Sequence, residues 1–256
     1  MPSARRSDIT ARRAFHAANR RASRGPTLPR SPRQQQLVFR SWGGVRRRQR
    51  RREPRKGGVL HRARPFHVER HPVHITMRAD GWLPSLRRQV VFREIVRVLP
   101  KTAREWFRIV HFSVQTDHLH MLVEARDKVS LSRGAAGAAI RLARAINRLL
   151  GRRGSVWSDR YHARPLATPR EARNALVYVI MNWKKHIHGT RGADPFSSAW
   201  WLEGWKVPPS AGPPHPLPTD PPVEEPRTWL LKTGWRRHGA IALDERTAPS
   251  RRRVRM

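Results

Sequence analysis

The chain has 256 residues, no cysteine, and 54 Lys plus Arg against 18 Asp plus Glu, a formal net charge of +36. Without thiols it can form no disulfide, thiolate metal site or cysteine nucleophile, and no apolar run reaches the length of a membrane-spanning helix or a signal-peptide core. A cationic excess of this size points to a polyanion, and nucleic acid is the one whose binding strengthens with each phosphate neutralised. The basic runs adjoin no apolar span and no amphipathic helix, which argues against a membrane surface. A cytoplasmic protein sitting on nucleic acid is the expectation.

Residues 1–60 read as a basic arm. They include RRRQRRR from Arg46 to Arg52 and almost no periodic apolar pattern, so burial cannot offset chain entropy and disorder is expected. Residues 61–205 read as the folded domain. His71 to Arg78 alternates through Val73, Ile75 and Met77, the pattern of a strand. Leu86 to Ala103 carries Leu86, Val90, Val91, Ile95 and Val98 at helical spacing. Phe107 to Gln115 alternates again; Thr116 and Asp117 can turn, and His118 to Glu124 is the second strand of a hairpin. Ser130 to Leu150 predicts a helix despite Gly134 and Gly137, stopped by Gly151. Ala163 to Ala167 is a short edge strand. Thr168, Pro169 and Glu171 then form a helix start, with a capping hydroxyl, a Pro at the first position and a Glu three residues after the cap. That helix is expected to run to about His188, before Gly189.

Strand, helix, strand, strand, helix, strand is the order of an α+β, ferredoxin-like antiparallel sheet with helices on one face. The last helix is an addition to it. Residues 206–256 begin with a Pro-rich stretch from Val207 to Pro226 and end Arg-rich. They read as a linker and basic tail.

Three features carry chemistry. His118 and His120 flank Leu119 on a strand, so both imidazoles project from one face, at a separation that suits one metal ion. Alone, such a pair is often structural. Tyr178 and Asn182 are four apart on the last helix and share a face; alone, they read as a core aromatic and a solvated amide. Finally, the chain has two tyrosines, Tyr161 and Tyr178, and Tyr161 lies in a loop beside Arg160 and His162. A tyrosine nucleophile, if there is one, is nearly chosen by that count.

Together the segments TDHLHMLVE (Thr116 to Glu124), WSDRYH (Trp157 to His162) and YVIMNW (Tyr178 to Trp183) resemble the HUH superfamily of single-strand DNA nucleases. Within it they resemble the single-tyrosine transposases, and among those the REP-associated tyrosine transposases. The resemblance implies a transposase that nicks and rejoins single-stranded, hairpin-associated DNA. It implies Tyr178 as nucleophile, a 5′-phosphotyrosine intermediate, and Mg²⁺ or Mn²⁺ held by His118, His120 and Asn182. It also implies DNA as the partner, with family members differing on whether the tyrosine acts within its own subunit or across a homodimer. Arg152, Arg153, Trp157, Arg160, Tyr161 and Trp183 are the candidate DNA contacts, as cations and stacking aromatics. Two positions depart from the family pattern. Asp117 precedes His118 where Asn-His or Glu-His is common, and Trp183 follows Asn182 where Pro is common, which should let the helix continue. The contrasting reading is a ferredoxin-like nucleic-acid-binding protein without catalysis.

Overall fold

The computed structural model describes residues 66–186, 192–209 and 220–245. The expected basic arm, residues 1–60, lies outside them. The elements run β1 (Val73–Arg78), α1 (Gln89–Val98) with a 3-10 turn at Leu99–Thr102, β2 (Phe107–Val114), β3 (His118–Ala125), α2 (Lys128–Leu149), β4 (His162–Pro165), α3 (Pro169–Met181) and α4 (Trp183–His186). A 3-10 turn at Ser198–Trp201, the one-turn α5 (Trp229–Lys232) and a 3-10 turn at Gly234–His238 complete the order. The strands form one sheet in the order β2-β3-β1-β4, and every neighbouring pair is antiparallel. This is the expected α+β, ferredoxin-like sheet.

Alternation decides what each face buries. Val73, Ile75 and Met77 of β1, with Leu119, Met121 and Val123 of β3, point to one side and pack against α1 and α2. Helix α1 buries Val91, Phe92, Ile95, Val96 and Val98 there. Helix α2 buries Leu131, Ala135, Ala138, Leu142 and Ile146, a stripe at three- and four-residue spacing. Asp127 caps α2, its carboxylate accepting from Ser130 N. Just past its end Gly151 takes a φ of 59°, a conformation open to glycine without strain.

The opposite face carries His74, Thr76, His118, His120 and Leu122, and α3 lies across it. Ala172, Ala175, Leu176, Val179 and Ile180 of that helix are buried with Leu122 and Val110. The register of β2 shifts between Ile109 and His111. This bulge puts both Val110 and His111 on the α3 side of the sheet.

Three expectations are corrected. Helix α1 begins at Gln89 rather than Leu86; Leu86 is instead buried in the preceding turn, its N–H bonded to Thr116 O. Helix α3 ends at Met181 rather than near His188. Asn182 keeps helical dihedrals (φ −58°, ψ −31°), but the ladder is interrupted there, and a separate turn, α4, follows. Residues 187–191 lie outside the described set. Third, the segment expected as linker and tail is folded over 220–245. Leu230, Leu231, Trp235 and Ile241 are buried with the α3 core, because α3 has an apolar outer side that the sheet does not cover. Glu124, buried on β3, holds the entry to α5, accepting from Arg227 N at 2.8 Å, Thr228 N at 2.9 Å and Thr228 Oγ1 at 2.7 Å. Among the described residues no helix is long and apolar enough to cross a membrane.

Candidate active site

The hairpin turn sets the first two ligand candidates. Gln115 N bonds to His118 O at 2.8 Å, so Thr116 and Asp117 are the two turn residues. His118 and His120 then leave the same face of β3, with ring centroids 4.6 Å apart and planes at 87°. Leu119 between them is buried on the α1–α2 side. His118 keeps some exposure while His120 is buried at 3%, so the site opens to solvent at the His118 end.

The sheet register places three strands around His120. It lies opposite Thr76 of β1 and Ser113 of β2. Its Nδ1 is 3.1 Å from both Thr76 Oγ1 and His74 Nε2. His118 is oriented separately, Nδ1 lying 2.6 Å from Asp117 Oδ1. Burial works to raise the Asp117 carboxyl, but the His118 hydrogen bond, with the nearby charges of His118 and Arg78, outweighs it and holds the group below its ordinary value.

Helix α3 delivers the tyrosine. Thr168 accepts from Glu171 N, Pro169 occupies the first turn, and Glu171 reaches back to Ala167 N at 2.8 Å. Nine residues past Pro169, the Tyr178 ring meets His120 edge-on, centroids 5.1 Å apart at 82°, and meets His74 at 5.6 Å and 64°. Asn182 is one turn on and fully buried. Burial pushes the Tyr178 phenol above its ordinary value of 10. The Asn182 side chain beside it works in the opposite direction. The fold thus brings His118, His120, Tyr178 and Asn182 into one cluster.

The donor set is chemically suited to a divalent cation. Nδ1 of each imidazole is engaged by a neighbour, so Nε2 is the nitrogen through which each could bind an ion. No cluster of three or more His, Cys, Asp or Glu able to hold a metal exists among the described residues. Asn182, buried one turn beyond Tyr178, remains the third ligand candidate offered by the sequence.

Of the DNA-contact candidates, Arg153 and Arg160 are exposed. Arg152 lays its guanidinium 3.3 Å over the ring of the exposed Trp82, and donates to the carbonyls of Arg153 and Ser155. Trp183 is half-buried, its indole N–H donating to Gly192 O at 3.3 Å. Trp157 is half-buried against the core and donates to Ala139 O at 2.9 Å. Tyr161 is itself a core residue, which takes its ring away from any strand outside. Ser158 N bonds to Arg78 O, tying the WSDRYH loop to the end of β1 beside His118.

Two residues at the centre of the site escaped sequence reasoning: His74 and Thr76. Burial, then the charges of Arg164 and His162, lower His74 from 6.5 to about 4. The signal was present, since His74 and Thr76 alternate with the apolar residues of β1 and so occupy its polar face. What the sequence lacked was the pairing of that face with His120.

Residues 68–179 match the model of a family described as IS200-like transposases. No curated protein matches. A solved structure of a REP-associated tyrosine transposase bound to a REP hairpin is 14% identical, the alignment covering 50% of this chain and 74% of that one at a TM-score of 0.39. The sequence match spans β1 to all but the last two residues of α3, Tyr178 included, and over that stretch the chain is similar to IS200-like transposases.

Proposed function

We propose that this chain is a transposase that cuts and rejoins single-stranded DNA beside a hairpin, through a covalent 5′-phosphotyrosine on Tyr178. In this reading His118, His120 and Asn182 hold a divalent cation, Mg²⁺ or Mn²⁺. A bound cation would neutralise charge on the scissile phosphate and orient it. The observation that carries the proposal is the edge-on packing of Tyr178 against His120, on a helix that crosses the same sheet face.

The remaining steps belong to the protein. Asp117 fixes the His118 ring, and the β1 groups fix that of His120. Exposure at the His118 end leaves a path for the strand, flanked by Arg78, with its side chain 74% exposed, and by the exposed His162 and Arg164 of β4. The phenol oxygen attacks phosphorus, the bond to the 3′ oxygen breaks, and the leaving strand takes a proton to become a 3′-OH. Because the phosphoester is conserved on Tyr178, a 3′-OH can attack in reverse and rejoin strands without a nucleotide cofactor. Tyr178 and His120 meet within one chain, which supports attack within the subunit. The phenol is protonated at neutral pH, so attack requires its proton to be lost as the bond forms.

The test is incubation of end-labelled single-stranded hairpin DNA with the full chain and Mn²⁺. The expected result is a protein–DNA adduct that survives denaturant and disappears in Tyr178→Phe. Cleavage that persists in Tyr178→Phe but is lost in His120→Ala would assign a water-using nuclease instead. No adduct on any hairpin would leave a binding protein.

A further inference from the structure

We propose that His74 is a positioning residue for this site: together with Thr76 it fixes the tautomer and tilt of the His120 ring, and it braces the Tyr178 ring against the same imidazole. The inference rests on the reading of His120 as a metal ligand.

An imidazole that binds a cation through Nε2 must carry its proton on Nδ1, and the group accepting that proton decides tautomer and orientation. For His118 the acceptor is a carboxylate, Asp117 Oδ1. For His120, the Thr76 hydroxyl and His74 Nε2 each lie 3.1 Å from Nδ1. They differ in rigidity. Thr76 lies directly opposite His120 in the β1–β3 register, and its hydroxyl can rotate to donate or accept. His74 is one diagonal step away, opposite Leu122, and its ring packs against those of His120 and Tyr178. The rings of His74 and His120 lie 5.1 Å apart at 39°, and Tyr178 closes the triangle at 5.6 Å from His74 and 5.1 Å from His120. Each side of that triangle is in the range of direct aromatic contact. One side chain of β1 therefore touches both a proposed ligand and the proposed nucleophile, while contributing no atom to the reaction. A histidine suits the task because it offers an acceptor nitrogen toward Nδ1 and a flat face toward the phenol at once.

Mn²⁺ binding to metal-free, full-length protein tests this by calorimetric titration. It is combined with ¹⁵N NMR of the histidine rings, which reads the His120 tautomer without metal or activity. In the wild type His120 is expected as the Nδ1–H form. In His74→Ala, Mn²⁺ affinity falls about 10- to 100-fold, as for other groups that orient a ligand, and His120 shows a mixture of tautomers. His74→Gln, whose amide oxygen can take the place of Nε2, recovers most of both. Should His74→Ala prove poorly folded, His74→Gln against His74→Leu gives the same contrast at conserved bulk. Wild-type Mn²⁺ affinity and an unchanged tautomer in a folded His74→Ala or His74→Leu protein would overturn the positioning role alone, provided His120→Ala loses binding. If His120→Ala binds Mn²⁺ as the wild type does, the metal reading itself falls, and this proposal with it.

Discussion

Gly134 lies where α2 crosses β2, and a methyl group built on it would fall inside the buried ring of Phe107. Gly to Ala in a helix interior normally gains up to about 1 kcal/mol. Here the overlap is with the body of a packed ring, and overpacking costs roughly 1–3 kcal/mol. Gly134→Ala is therefore expected to lower stability in a urea titration, whereas the same change at Gly137, which faces the end of the flexible Arg141 side chain, lacks that clash. A second residue-scale effect comes from His111. It is buried on the α3 side of the sheet, its Nδ1 3.0 Å from Ser198 Oγ, and burial lowers it from 6.5 to about 4. Between those values the unfolded chain binds the proton and the folded one does not, so stability rises with pH through the window. His111 thus contributes stability that is complete above about pH 6.5 and lost as pH falls toward 4. His74 is shifted in the same direction. Thermal melts should show His111→Asn losing less stability than the wild type between pH 7 and pH 5.

At the scale of elements, α3 is the part on which the site depends, and it is held from both sides. Its inner side packs on Leu122 and Val110, and its outer side on the segment 228–243. Arg173 of α3 makes a paired bridge to Glu245 at 2.5 and 2.9 Å and donates to Gly239 O and Ala240 O. Lys184 of α4 donates to Leu243 O. Trp235 is the largest side chain closing this interface, 1% exposed, its indole N–H on Leu231 O. Trp235→Ala should cost roughly 3–5 kcal/mol, measured by denaturant unfolding. Because the loosened helix carries Tyr178 and ends on Asn182 while His118 and His120 stay on β3, adduct formation should fall and Mn²⁺ affinity should weaken with it. Helix periodicity located α3 from sequence, since it is long and well capped. The segment that covers it was not legible. Its helical pieces are one or two turns long, and its apolar residues follow a Pro-rich stretch whose composition argues for a linker.

For the whole molecule, the charge of +36 sets how binding responds to salt. Each phosphate neutralised on a single strand contributes about 0.7 to the slope of log affinity against log salt. Replacing the six arginines between Arg46 and Arg52 with Gln should therefore flatten that slope by up to roughly four. Affinity at low salt should fall similarly for hairpins of any sequence, as filter binding across a salt series would read. The same replacement should leave adduct chemistry at saturating DNA intact, because the proposed reacting groups sit on β3 and α3.

Local spacing was enough to determine much of this protein. The alternation of β1, β2 and β3, the caps at Thr168 and Gly151, the shared face of His118 and His120, and the one-turn separation of Tyr178 and Asn182 are all properties of single elements, written in periods of 2 and 3.6. Tertiary structure alone decided that α3 lies on the face opposite α1 and α2, that Tyr161 is core, that 228–243 covers α3, and that His74 and Thr76 stand beside His120. Those facts depend on strand register and on which apolar surfaces find each other. Such choices are made between segments tens of residues apart, where no within-element period can reach.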